Sequence, residues 1–288
     1  MHIANEAYLL DRQLEMLSSL LRRWPILDLI EFQGRNLGHW VSEPGTASIR
    51  EAIAQQSFDS VARNHGISRL RLDDYQGEVI WDANVPKSRI IFEDDVIQTL
   101  EDGYELILLE VLHVLSQRVR FPDSDSLTNQ VGLWSHVPFF SSAPNAPNFE
   151  NLCPETARLL RGLQPSMNLL LGFTFVSILS GNTTIASHRG STSLRQRYHL
   201  GLIVPEPGQA QIRIDDEWIA WEGGKAFGFN DSYSHEVINS SQLDRVALIV
   251  DLWPKEVPSD LIEVLVENAE IFDFCVLHRD KPLVAVND

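Results

Sequence analysis

Three side chains able to hold an anion or a metal, Arg195, Arg197 and His199, fall at every second position of the stretch L-R-Q-R-Y-H-L-G-L-I-V. Successive side chains of an extended strand point to opposite faces. These three therefore share one face, and Tyr198, Leu200 and Leu202 share the other. Two placements follow. Either the polar face meets solvent and the leucines meet the core, or the polar face turns inward and needs an anionic partner to offset its lost hydration. Two more histidines lie near strand ends, His188 in A-S-H-R-G and His235 in N-D-S-Y-S-H-E-V. Imidazole is a good ligand for Fe(II), and the usual non-haem iron triad adds a carboxylate to two histidines. Here Gly190 stands where H-x-D/E would place that carboxylate, so the spacing by itself counts against a triad. Arg245 opens the apolar run R-V-A-L-I-V-D-L. A buried arginine is rare unless paired with an anion. Its planar fork suits a carboxylate, belonging either to a bound acid or to Asp251 or Asp244 of the chain itself. Asp231 and Glu236, close to His235, read as polar loop residues more than as groups that orient the imidazole.

These residues need a scaffold, and from residue 168 onward the chain reads as short strands separated by turns. The expected strands are 169–179, 196–204, 210–214, 217–221, 226–229, 235–239 and 245–253, with turns at Asp215–Asp216 and Gly223–Gly224. At least seven such strands suggest an antiparallel sandwich or barrel. Upstream, helical spacing of leucines over 5–32 predicts a helix ending near Pro25, and further helices are expected over 47–64, 95–118 (interrupted at Gly103) and 154–163. The Ser-, Asn- and Pro-rich stretch 122–150 reads as a long loop or site rim, with Trp134, Phe139 and Phe140 as rim aromatics. Helices first and strands after argue an α+β arrangement. The division expected is an N-terminal, mainly helical region over 1–120 and a β domain over 121–288.

Composition narrows the function classes. The chain has 288 residues and a formal net charge of −17. That charge excludes a nucleic-acid role, which needs a dense Lys/Arg surface, and disfavours an anionic membrane surface. No window approaches the ~20 consecutive apolar residues of a membrane span. The opening M-H-I-A-N-E-A-Y-L-L-D-R-Q has no basic segment followed by an apolar one. Neither of the two cysteines, Cys153 and Cys275, has metal-ligand spacing. A reducing, cytoplasmic setting is expected.

The motifs S-H-R-G-x-T, R-Q-R-Y-H-L-G-L, W-E-G-G-K, F-N-D-S-Y-S-H-E-V and R-x-A-L-I-V-D-L-W, in this order over roughly residues 150–254, resemble the catalytic domain of the aspartyl/asparaginyl β-hydroxylases. The piece C-P-E-T-x-x-L-L at 153–160 looks like a further element of that family, whereas residues 1 to about 120 match nothing recognised. The resemblance implies a double-stranded β-helix (jelly-roll or cupin-like) core and an Fe(II)- and 2-oxoglutarate-dependent dioxygenase. That family lacks the triad carboxylate and has glycine in its place, which accounts for Gly190. His188 and His235 then align with the iron ligands, Arg245 with the arginine that binds the far carboxylate of 2-oxoglutarate, and Ser177, Arg197 and His199 with the other co-substrate contacts. The implied substrate is an aspartate- or asparagine-like amino acid, free, peptide-bound or carrier-bound. Arg195 and Trp134 are expected to meet it. The alternative is a 2-oxoglutarate-dependent oxygenase or halogenase acting on another natural-product intermediate.

Overall fold

The structure is a computed structural model, and it describes residues 30–32, 35–36, 70–71, 89–116, 130–139, 149–163, 174–190, 195–255, 257 and 262. The chain divides into two compact units, one formed by Met1–Asp74, Ile80–Val85 and Glu256–Asp288, the other by Tyr75–Val79 and Pro86–Lys255. In the first, β1 (Ile30–Phe32) pairs antiparallel with β2 (Arg35–Asn36) and parallel with β3 (Leu70–Arg71). The helix expected up to Pro25 and the one over 47–64 lie outside the described residues.

The second unit opens with the short strand β4 (Ile90–Ile91) and two helices, α1 (Asp95–Asp102) and α2 (Tyr104–Ser116). The Asp94 side chain accepts a hydrogen bond from the Ile97 amide at 2.8 Å and so caps α1, a contact of about 1 kcal/mol. Gly103 separates the helices at the expected place; a Cβ there would lie 2.6 Å from Leu159 Cδ1. Strands β5 (Gln130–Val131) and β6 (Trp134–Pro138) follow, then α3 (Phe149–Leu152) and α4 (Pro154–Gly162). The last eight strands are β7 (Thr174–Leu179), β8 (Thr183–His188), β9 (Gln196–Ile203), β10 (Ala210–Ile214), β11 (Glu217–Ala220), β12 (Ala226–Phe229), β13 (His235–Asn239) and β14 (Arg245–Leu252).

Two antiparallel sheets result, one ordered β11-β10-β13-β8-β5 and the other β4-β12-β9-β14-β7-β6. From β7 to β14 the chain passes from one sheet to the other at each connection, apart from the β10–β11 hairpin. That alternation is the double-stranded β-helix. Side-chain alternation divides the larger sheet between two cores. Val176, Leu200, Leu202, Val246, Leu248 and Val250 pack with buried residues of α1, α2 and α4. Leu179, Phe227, Phe229 and Ala247 meet Ile185, Ile212 and Val237 in the space between the sheets. Each fully buried Leu, Val or Phe contributes about 1.5–3 kcal/mol, and the inner core also fixes the walls of the cleft described below.

Two expectations are corrected. The stretch 122–150 is not one long loop: β5 and β6 lie in it, and β6 pairs with β7 along its whole length. Phe139 is fully buried in the helix-side core, so it is no rim aromatic; Phe140 lies outside the described residues. Strand β8, T-T-I-A-S-H, was not expected either. Only Thr183 and Ile185 of it are buried, so its apolar alternation is too short to show.

Candidate active site

A cleft between the sheets is lined by His188, His235, Ser177, Arg197, His199 and Arg245, with Trp134 and Trp221. All the residues expected to hold metal or co-substrate therefore converge, from β7, β8, β9, β13 and β14, and Trp134, expected to meet substrate, joins them from β6. A larger cleft of about 670 Å³ lies elsewhere, lined by α1 and β11 and holding no histidine. Chemistry, not size, singles out the smaller one.

The histidine pair depends on a local irregularity. Val237 pairs with Ile185, yet His235 pairs with His188, so the register shifts by one residue between them. In an unbroken ladder the inward parity of Thr183 and Ile185 would continue to Ser187. The bulge instead brings the His188 ring to 4.1 Å from the His235 ring, centroid to centroid. Bulges commonly re-aim a side chain beside an active site. His188 Nδ1 lies 2.9 Å from the Ala186 carbonyl, and His235 Nδ1 lies 2.9 Å from the Tyr233 carbonyl. Each ring donates to the carbonyl two residues before it, which leaves both Nε2 lone pairs for a metal. Burial pushes both imidazoles below their ordinary range and keeps them neutral, the form a metal ligand requires. Among the described residues no group of three or more His, Cys, Asp or Glu side chains is placed to hold an ion, so the donor set is two imidazoles with room for oxygen donors from elsewhere.

Asp231 is fully buried and is not a solvated loop residue, which corrects the expectation for it. Its Oδ1 and Oδ2 accept from Arg195 Nε and Nη2 at 3.1 and 2.6 Å, and Arg197 Nη1 lies 3.2 Å from Oδ2. Burial would raise its carboxyl, but Arg195 and Arg197 outweigh that and hold it below the ordinary range. A Cβ on Gly190 would sit 2.3 Å from this carboxylate. Position 190 is therefore glycine for a local reason: Asp231 occupies the space. Glu236 is instead a half-buried partner of Arg213 at 2.8 Å.

Arg197 places Nε and Nη2 on the Asp251 carboxylate at 2.7 and 2.8 Å. Asp251, considered as a partner for Arg245, thus serves Arg197. Burial would lower the Arg197 guanidinium, but Asp251 and Asp231 outweigh it and raise it. Of its five N–H donors, three are engaged by the two carboxylates, which leaves two for another acceptor. Arg195, expected to meet substrate, is 5% exposed and has Asp231 as its first partner.

Arg245 differs. It is 2% exposed, and the hydrogen bonds it makes among the described residues run from Nη1 to Ser177 Oγ at 3.0 Å and to the Ser177 carbonyl at 3.3 Å. Its Nε has no hydrogen-bond partner among the described residues, and neither does either ring nitrogen of the buried His199. Burial pushes the Arg245 guanidinium down to about 9, so it stays charged at neutral pH with no carboxylate among the described residues to balance it. His199 is held neutral, well below its ordinary value, by burial and then by Arg197 and Arg245. Ser177 Oγ also accepts from Trp134 Nε1 at 3.0 Å. An oxygen that accepts twice keeps its own proton to donate. Arg245, Ser177 and His199 therefore form a buried, donor-rich and positively charged end of the cleft, which fits a carboxylate.

Residues 101–255 match the family model for aspartyl/asparaginyl beta-hydroxylase. The chain belongs to this family. A mouse aspartyl/asparaginyl beta-hydroxylase is 31% identical over 163 residues, 56% of this chain and 22% of that protein. An ornithine lipid ester-linked acyl 2-hydroxylase of Rhizobium tropici is 30% identical over 184 residues, 60% of this chain and 63% of that one. The chain thus spans between about a fifth and just under two-thirds of these relatives. Among solved structures, a Pseudomonas putida prolyl-4-hydroxylase aligns with 55% of this chain and 99% of its own at 12% identity and a TM-score of 0.35. The β-hydroxylase match begins at the last two residues of α1, so α2 falls inside the family region although no motif in it announced it.

Proposed function

We propose that the protein is an Fe(II)- and 2-oxoglutarate-dependent dioxygenase that hydroxylates an aspartate- or asparagine-like amino acid, free, peptide-bound or carrier-bound, in a cytoplasmic setting. The observation that carries this is Arg245: a buried cation with no acidic partner among the described residues, in the same cleft as two neutral histidines with free Nε2 atoms. Burying an uncompensated charge is costly, and a dicarboxylate that reaches from the histidine pair to Arg245 would supply the missing anion.

In this reading His188 and His235 hold the iron, which supplies oxygen activation coupled to decarboxylation of 2-oxoglutarate. Arg245 takes the far carboxylate, the Ser177 hydroxyl donates to it, and His199 and the two remaining donors of Arg197 serve the rest of the co-substrate. The Ala186 and Tyr233 carbonyls fix the two imidazoles in one tautomer and orientation. Arg195 acts through Asp231, which it anchors beside Gly190. Trp134 holds Ser177 and forms part of the cleft wall, where a substrate would meet it. Such placement can supply a large share of a rate enhancement.

The acyl 2-hydroxylase relative keeps a lipid-linked acyl chain as the second reading. The test is succinate formation with Fe(II) and 2-oxoglutarate across a panel of free, peptide-bound and carrier-bound Asp and Asn together with lipid-linked acyl chains, with product mass for every hit. Mass gain of one oxygen on an Asp- or Asn-type substrate supports the proposal. Oxygen insertion only into acyl chains selects the second reading, a chlorinated product selects halogenation, and full turnover by both His188→Ala and His235→Ala removes the iron assignment.

A further inference from the structure

The motif W-E-G-G-K has had no chemical role so far, yet it places Trp221 in the cleft beside Arg245. Trp221 is 1% exposed and belongs to the inter-sheet core. The turn that carries it is pinned to β9: Gly224 N donates to the Gly201 carbonyl at 2.9 Å, and Gly201 N to the Lys225 carbonyl at 3.0 Å. Gly201 permits the approach, since a Cβ there would lie 2.2 Å from the Glu222 carbonyl oxygen. The indole has the Arg245 guanidinium carbon 4.5 Å from its ring centroid, within cation–π range. The His199 ring stacks on it at 5.6 Å with planes 12° apart. One ring thus meets both residues of the charged end whose nitrogens lack a hydrogen-bond partner among the described residues. The ring face is electron-rich, so it partly offsets the Arg245 charge while no anion is bound. The indole N–H is also buried without an acceptor among the described residues. A buried donor with no acceptor is costly, and native structures rarely leave one so.

We infer that Trp221 is a binding residue for the carboxylate at Arg245: its ring orients Arg245 and His199, and its Nε1–H donates to that carboxylate together with Arg245 and Ser177. This rests on the co-substrate reading above and extends it to a residue of the W-E-G-G-K motif. It also explains why this position carries an indole and not another large apolar side chain, which would fill the same space without the donor.

The test reads the indole itself. In ¹H–¹⁵N spectra of the Zn(II)-loaded protein, the Trp221 Nε1–H resonance, assigned by its loss in Trp221→Phe, is expected to move downfield when 2-oxoglutarate binds. Pyruvate, which keeps the keto acid but lacks the far carboxylate, should leave it in place. Calorimetry should show Trp221→Phe, which keeps an aromatic face and lacks the donor, binding 2-oxoglutarate about ten-fold or more weakly. If 2-oxoglutarate binds the wild type while the Trp221 resonance stays still, or moves equally with pyruvate, the inference is overturned. If Trp221→Phe folds poorly, triple-resonance assignment of the wild-type indole resonances keeps this decision in place. If the wild type binds no 2-oxoglutarate at all, the co-substrate reading fails instead, and calorimetry records that separately.

Discussion

Arg195 just before β9, Arg197 on β9 and Arg245 on β14 are all in the same unit, but they meet opposite circumstances. The first two share Asp231 and Asp251, two cations against two anions, with contacts of 2.6–3.7 Å. Arg245 has a serine, an indole face and an Nε with no hydrogen-bond partner among the described residues. A balanced buried network satisfies itself, so its residues hold geometry. An unbalanced cation leaves an electrostatic demand that folding does not meet, and a bound anion would relieve it. On the proposed reading the contrast assigns different work to residues of the same type: Arg195 anchors Asp231, Arg197 is held by Asp231 and Asp251 with donors to spare, and Arg245 would take an acid.

The contrast can be broken from either side. Asp251→Ala strips Arg197 of its bidentate partner and leaves a buried charge, so a loss of about 3–5 kcal/mol of stability is expected, read from the denaturant midpoint. Arg245→Met should behave in the opposite way. It removes an uncompensated charge and keeps the stem, so stability should hold or rise, while 2-oxoglutarate binding weakens by about 2–5 kcal/mol, on the order of 30-fold or more. A large destabilisation by Arg245→Met, or an unchanged affinity, would end the comparison.

Smaller effects sharpen it. Gly190→Ala puts a methyl group 2.3 Å from the Asp231 carboxylate, and overpacking of this kind costs about 1–3 kcal/mol. In a double-mutant cycle, a cost of Gly190→Ala that is smaller in an Asp231→Gly background than in the wild type would show that the two positions share one space. Acid should act through the histidines. His136, His188, His199 and His235 all lie below their ordinary value, with burial as the leading cause. Above about pH 6.5 they are neutral folded or unfolded and contribute no pH dependence. Below it the unfolded chain takes up protons that the folded one refuses, so stability of the metal-free protein falls as pH falls. A midpoint flat from pH 7 to pH 5 would contradict this. The smallest effect is a null one: Cys153 is fully buried and its thiol is pushed up to about 12 by burial and then by Glu110. Alkylation at pH 8 should leave it unmodified in the folded protein, by peptide mass, whereas rapid labelling would show that the α4 end opens.

Much of this was legible in the chain because it is local. Alternation along Q-R-Y-H-L-G-L-I-V divided β9 correctly, with Tyr198, Leu200 and Leu202 toward the helices and Arg197 and His199 toward the cleft. The runs of β10, β12, β13 and β14, the α1–α2 break at Gly103, and the ordered motifs that tie His188, His235 and Arg245 together are likewise properties of neighbouring residues. What tertiary structure decided is pairing. His188 reaches its partner through a one-residue register shift that the parity of β8 argues against. Asp251 and Arg197, 54 positions apart, face each other because β14 lies beside β9. Asp231 fills the space beside Gly190, 41 positions away in the chain, and Trp221 meets Arg245 only once the turn after β11 is hydrogen-bonded to β9. A sequence lists which charges exist, and its periodicity says which face each takes. Which charge is balanced depends on distances of about 3 Å between residues brought together by strand register, and that register is a property of the assembled sheets.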